Sequence, residues 1–360
     1  MVTDQTRRNL LKAALMGAAV PAMPFGCASV FNDKNAAPAL IGCSVSGRDR
    51  YRAVVADALG QPLHTIALPG RGHGVAIHPS RRQAVAFARR PGQFMLAFDY
   101  ASGEVIQLNL ASEKRHYYGH GVFSNDGRWL FATEGERATS RGIIGVYDAQ
   151  HSYQKVDELT GFGIGPHEVI VMQDDTLVIG VGGVHTKGRT ALNIDSMQPS
   201  LSYLSPTGQL LDQARLADHH LSIRHLAHDG AETVLCGQQY RGEPDAYPAL
   251  LAMHKRGGEI QPLLAEEEQW ARFNHYIASI AATEDWILAT SPRGNCYGIW
   301  SKQTRQLVEL AALADASGVV VRRGRFQVSS GAGQVVDLSG PNAPIITASP
   351  VMWDNHWNAV

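Results

Sequence analysis

Three segments of the chain place a histidine at the same point ahead of a short apolar run: GRGHGVAIHP from Gly70, YYGHGVFSND from Tyr117 and GFGIGPHEVIVM from Gly161. The histidines are His73, His120 and His167, and both intervals are 47 residues. A fixed period of roughly 20 to 50 residues marks a repeat architecture, in which one supersecondary unit recurs and buries its apolar face against its neighbours. Inside a unit the pattern is short β runs parted by turn residues: GVAIHP, QAVAFAR, QFMLAFDY and EVIQLNL, with turns at Pro79-Ser80, Pro91-Gly92 and Ser102-Gly103. No long helical period intervenes, so the spacing predicts an all-β chain built as a β-propeller, one four-stranded blade per unit.

Counted along the chain, the units give a seven-bladed propeller. The third runs from HGVFSN through WLFATEG and GIIGVYDA to QKVDELT, and four more follow to about Ile346. The N-terminal strands LIGCSVS, YRAVVAD and PLHTIAL make a first blade that lacks its innermost strand, while the chain ends in WDNHWNAV, residues 353–360. An open ring would expose strand edges to pairing with other chains. The C-terminal segment is therefore expected to supply the missing strand and close the ring, which brings His356 to a place equivalent to His73, His120 and His167.

Residues 1–37 read as an export signal and short linker, and residues 38–360 as a single propeller domain. TRRNLLKA carries the pair Arg7 and Arg8 ahead of the modest apolar run ALMGAAVPAM, the pattern of a twin-arginine signal. Export would place the protein in the periplasm with no transmembrane span in the mature chain. Cys27 follows Pro24-Phe25-Gly26, so the alternatives are a lipid anchor on Cys27 and plain cleavage near NAAPA. The four cysteines, Cys27, Cys43, Cys236 and Cys296, show no CxxC spacing and lack the density of a disulfide scaffold, so one disulfide or none is expected. With 18% charged residues and a formal net charge of -1, nothing in the balance points to nucleic acid or an anionic membrane surface.

In a propeller the starts of the inner strands and the loops joining second to third strands share one face. The histidines should thus converge on one mouth of the central channel. His225 and His275 lie near the same point in the fifth and sixth units; the register leaves Arg224 or His225 at the equivalent place, and sets His275 one or two residues early. The candidate metal set is His73, His120, His167, His225, His275 and His356. Loops on that face add Arg89, Arg90, Glu134, Glu136, His185, Arg189, Arg241 and Arg293; the candidate ligand-binding set is Arg224, Arg293, Arg189, Glu134, His185 and Arg241. Glu168 sits beside His167, but successive strand residues face opposite ways, which would turn it elsewhere. Neutral imidazole suits iron, copper or zinc, whereas calcium and magnesium prefer carboxylate oxygen. The competing reading is a polar plug, each ring bonded to a neighbouring backbone. GVGGVHTKGR lacks the spacing of a phosphate-binding loop, and GPHEV is no HExxH helix.

Four motifs together carry a resemblance: GIGPHEV (163–169), GGVHTKGRTALNIDSMQPSLSYL (182–204), LSIRHLA (221–227) and SPRGN (291–295), behind the twin-arginine leader. They resemble a family of bacterial exported propellers of unknown function, often encoded beside imelysin-type iron-regulated lipoproteins and a di-haem cytochrome. In that family a proline and an aspartate commonly follow the second motif's histidine; here Thr186 and Lys187 follow His185. The resemblance implies periplasmic residence, an iron-linked context and a possible partner of imelysin type, and assigns no catalytic residue. Three function classes remain: a binding or accessory protein in iron or other transition-metal handling with a His/Arg-lined mouth; a propeller enzyme, either a metal-dependent oxidoreductase or a lactonase-like hydrolase; and an interaction scaffold for a neighbouring lipoprotein. No GxSxG elbow supports hydrolysis.

Overall fold

The computed structural model describes residues 36–47, 49–188 and 190–360. Seven four-stranded antiparallel sheets are arranged as the blades of a wheel. The innermost strands, in ring order, are Trp353–Ala359, Gly72–Ile77, Arg115–Phe123, Pro166–Val171, Leu221–His228, Ser279–Ala282 and Ala316–Arg322. Blade 1 is completed by the C-terminal strand: Leu40 pairs with Ala359 and Gly42 with Trp357, so three strands from the start of the chain and one from its end share a sheet.

Burial explains why these sequences make blades. The second strand of blade 2, Gln83–Ala88, is buried along nearly its whole length because both its faces meet neighbouring sheets. Its outer strand, Val105–Leu110, leaves Val105, Ile106 and Leu110 exposed. Apolar side chains interlock between adjacent sheets; Phe87, Met95, Tyr117, Leu130 and Tyr147 form one such layer between blades 2 and 3. At the closure, Trp353 and Trp357 pack with Leu40, Val54, Val320 and Val335. Trp357 donates its indole N–H to the Gln327 carbonyl of blade 7 at 3.3 Å, and Arg71 of blade 2 forms a two-pronged ion pair with Asp354 at 2.7 and 3.0 Å. The last strand therefore fastens blades 7, 1 and 2 together.

Two insertions depart from the plain four-strand unit. Between the second and third strands of blade 4 the chain makes a ribbon, Thr186–Lys187 with Thr190–Ala191, and a short 3-10 turn, Ile194–Ser196. After blade 5's two-residue outer strand, Gln261–Pro262, a helix at Glu267–Ala271 tucks Trp270 against Trp300. Cys43, Cys236 and Cys296 are buried free thiols.

The feature that positions the site is a β-bulge repeated around the axis. Ladder register slips between Gly72 and Val75, Tyr117 and Gly121, Pro166 and Glu168, Ile223 and His225, and Gly42 and Ser44 opposite the C-terminal strand. A bulge leaves an unpaired residue and re-aims the side chains around it. Each of these five slips falls at a channel histidine.

Candidate metal centre

Five imidazoles meet on the axis: His356, His73, His120, His167 and His225, from blades 1 to 5 in order. Ring-centroid separations around the circuit are 4.6, 4.8, 4.8, 4.8 and 4.6 Å, the last closing from His225 back to His356. All five are buried. Within the triads His73/His120/His356 and His120/His167/His225, one nitrogen per ring lies within 4.8 Å of the others, with His120 common to both. Nitrogens on a tetrahedral ion stand about 3.3 Å apart, given metal–nitrogen bonds of about 2.0 to 2.1 Å, so modest ring movements would bring the three nitrogens of a triad onto one centre.

Close packing here demands glycine. A methyl group on Gly74 would stand 2.9 Å from His120 Nδ1 and 2.8 Å from the Gly119 carbonyl, and one on Gly119, at φ +110, would stand 2.7 Å from His73 Cδ2. Thr133, fully buried, places its hydroxyl 3.0 Å from the carbonyl oxygens of both His120 and His167 and so ties blades 3 and 4 at the site. Gly119→Ala is expected to displace the His73 ring and to cost about 1–3 kcal/mol, measured as a lowered denaturant midpoint. Thr133→Val keeps the shape and removes the hydroxyl; about 1–2 kcal/mol should be lost in the same measurement.

Electrostatics keep the rings neutral. Burial pushes His120 down to about 4 and His225 to about 3, and sets His73, His167 and His356 well below the ordinary imidazole range. Neighbouring imidazoles and the Arg89 and Arg224 guanidiniums add to the depression. Neutral imidazole is the ligand form. Buried nitrogens without a hydrogen-bond partner are His73 Nδ1, His120 Nε2, His167 Nδ1, both nitrogens of His225 and His356 Nε2. A buried polar atom left unpaired costs about 1–3 kcal/mol, so such a concentration is unlike a polar plug, whose rings would be bonded to backbone.

Glu168 joins this group, contrary to the alternation argument. The bulge after Pro166 breaks the two-residue period, and His167 and Glu168 both reach the channel. Its carboxylate accepts the Leu226 N–H at 2.8 Å and lies 3.5 Å from His120 Nδ1 and 3.4 Å from His225 Nδ1. Burial pushes its pKa above the usual carboxylate range, with His120 and the Leu226 N–H opposing. Beneath the rings, a cavity of about 420 Å³ runs down the axis, bordered by all seven inner strands and including Glu168, His228 and Asn358.

Other candidates fall elsewhere. His275 is not in the ring: it adopts a left-handed backbone (φ 56) in the turn after the helix, stacks on Tyr247 and bonds the Ala246 carbonyl at 2.9 Å, leaving Tyr276 at the axis side. Glu134 points into blade 3, where it accepts from the Tyr147 hydroxyl at 2.6 Å and Lys155 at 2.8 Å. His185 holds the blade 4 insertion against blade 3 through Ser140 Oγ at 3.1 Å. Arg224 is the bulged residue, buried beside the axis, while Arg241 and Arg293 lie in the second-to-third-strand loops of blades 5 and 6. Arg189 and Cys27 lie outside the described residues, as does the twin-arginine segment.

The fold is similar to that of hydrazine synthase from Kuenenia stuttgartiensis, at 12% identity and a TM-score of 0.61 over 91% of this chain and 100% of that one. Since 1125 solved chains match, the likeness carries architecture and no chemistry. No curated protein matches. A family model described as a protein of unknown function, DUF1513, matches residues 66–360, and the chain belongs to that family.

Proposed function

We propose that this protein binds a transition-metal ion, iron, copper or zinc, through the channel histidines, and serves as a periplasmic binding or accessory protein in the handling of that metal. The observation that carries the reading is the set of five buried, neutral imidazoles packed around the axis, with one nitrogen per ring within 4.8 Å of the others in each triad and with buried nitrogens that have no hydrogen-bond partner. Imidazole with one nearby carboxylate is a donor set for borderline metals and a poor one for calcium or magnesium. Thr133 and the glycine contacts at Gly74 and Gly119 hold the ligands from behind, as metal ligands require. The exported location, the iron-linked context and an imelysin-type partner are supported by the leader and by the resemblance of the four motifs.

The test is metal retention after gel filtration, with protein loaded separately with Fe(II), Cu(II) or Zn(II). About one or two equivalents of one of these should remain on wild type and be lost from His120→Asn/His167→Asn. A His219→Ala/His220→Ala variant controls for the partly exposed Asp218-His219-His220 group and should retain the metal. No retention by wild type, with no affinity tighter than millimolar, would overturn the proposal.

A further inference from the structure

Above the histidines the same mouth is lined by guanidinium. Arg224 is only 3% exposed, and its Nε and Nη2 have no hydrogen-bond partner; Arg241, half-buried, has its Nε likewise unpaired. Arg293 lies over the Tyr276 ring at 4.6 Å, and Arg90 donates to Thr186 Oγ1 of the blade 4 insertion at 3.3 Å. These side chains come from blades 2, 5 and 6: Arg90, Arg241 and Arg293 sit in second-to-third-strand loops, which all open on this face, and Arg224 reaches it from the inner strand of blade 5. The carboxylate brought to this end of the channel by the C-terminal strand, Asp354, is engaged by Arg71.

A buried cation without a counter-charge is among the costliest arrangements a fold can carry. The like charges act on one another here: after burial itself, Arg90 and Arg293 are the next causes that hold Arg241 below the ordinary guanidinium range. Guanidinium is the group that matches carboxylate oxygens two at a time, and a cluster of them selects for more than one negative charge.

We propose that this vestibule binds a small di- or tricarboxylate anion, gripped by Arg241 and Arg293 at the rim with Arg224 behind them. The site goes beyond the metal reading and does not require it: the anion would also offset the repulsion that these guanidiniums exert on any cation held by the histidines below.

Titration calorimetry on protein dialysed free of chelator tests this, with citrate and succinate as probes, phosphate as an oxyanion of different shape and acetate as the monovalent control. Citrate or succinate should bind at least tenfold more tightly than acetate, and Arg241→Gln should weaken binding about tenfold to a hundredfold. Phosphate binding more tightly than either carboxylate would overturn the assignment of ligand class. Arg224→Met should lose carboxylate binding while keeping or raising the melting temperature of the ligand-free protein, since it removes an uncompensated buried charge. A melting temperature lowered as by a core truncation would mean that Arg224 is held by internal partners, which contradicts the proposal. So would wild-type binding of citrate and succinate weaker than about 1 mM, or equal binding in wild type and Arg241→Gln. His120→Asn/His167→Asn should bind the carboxylate as wild type does, so that failure of the metal centre and failure of the anion site are read separately.

Discussion

Removal of residues 353–360 is expected to abolish soluble, cooperatively folding protein. That segment contributes the inner strand of blade 1 and two buried tryptophans, Trp353 and Trp357, which pack on each other with ring centroids 5.2 Å apart and fill the seam between blades 7 and 1. Truncating one buried tryptophan costs about 3–5 kcal/mol, so two approach or exceed half of a typical stability of about 5–15 kcal/mol. The deletion also exposes the edge of Leu40–Ser46 and strips Arg71 of its partner Asp354. Expression yield in the soluble fraction, and the melting temperature of whatever folds, measure the effect. Trp357→Ala is the milder companion; it keeps the strand and should lower the melting temperature by about 5–10 °C. A truncated protein that melts like wild type would mean that the ring closes some other way.

Acidification should destabilise the protein well before its carboxylates protonate. The five channel histidines have folded-state values depressed below the ordinary value of about 6.5. Above that pH neither state carries their protons, and their contribution to stability is complete. As pH falls below about 6.5 the unfolded chain takes up protons that the folded ring refuses, and stability drops until the lower folded values are reached. Each histidine adds about 1.4 kcal/mol per pH unit to the slope, so several acting together remove a large part of the total within two units. Glu168, with its raised value, acts in the opposite sense and offsets a fraction of this. Melting temperature followed from pH 7 to about pH 4.5 should fall steeply for wild type and less steeply for His120→Asn/His167→Asn. Parallel curves would contradict burial of neutral imidazoles.

Much of this was legible in the sequence because it depends on period. The 47-residue interval gives the blade length, and the missing inner strand of the first unit leaves WDNHWNAV as its complement, which brings His356 into the ring. What the sequence hides is local backbone irregularity. Strict alternation turns Glu168 away from the channel, and the bulge after Pro166 turns it back. The same device resolves the choice in blade 5, where bulging at Arg224 sends His225 to the axis and Arg224 toward the mouth. His275, one or two residues early by register, falls outside the ring because the helix Glu267–Ala271 and the left-handed turn after it shift the chain ahead of blade 6, and a helix of 5 residues leaves little periodic signal. Glu134 lies one strand in from where loop reasoning set it, since the second strand of blade 3 continues through Glu136. The ties that Thr133 makes to two histidine carbonyls carry no sequence signature at all.

X-ray absorption at the metal edge, on protein loaded with whichever of iron, copper or zinc it retains, tests the central claim most directly. The account predicts a first shell of nitrogen at about 2.0 to 2.1 Å with the outer-shell scattering of imidazole rings, lost in His120→Asn/His167→Asn. A shell of oxygen alone, or a spectrum unchanged by that double substitution, would contradict it.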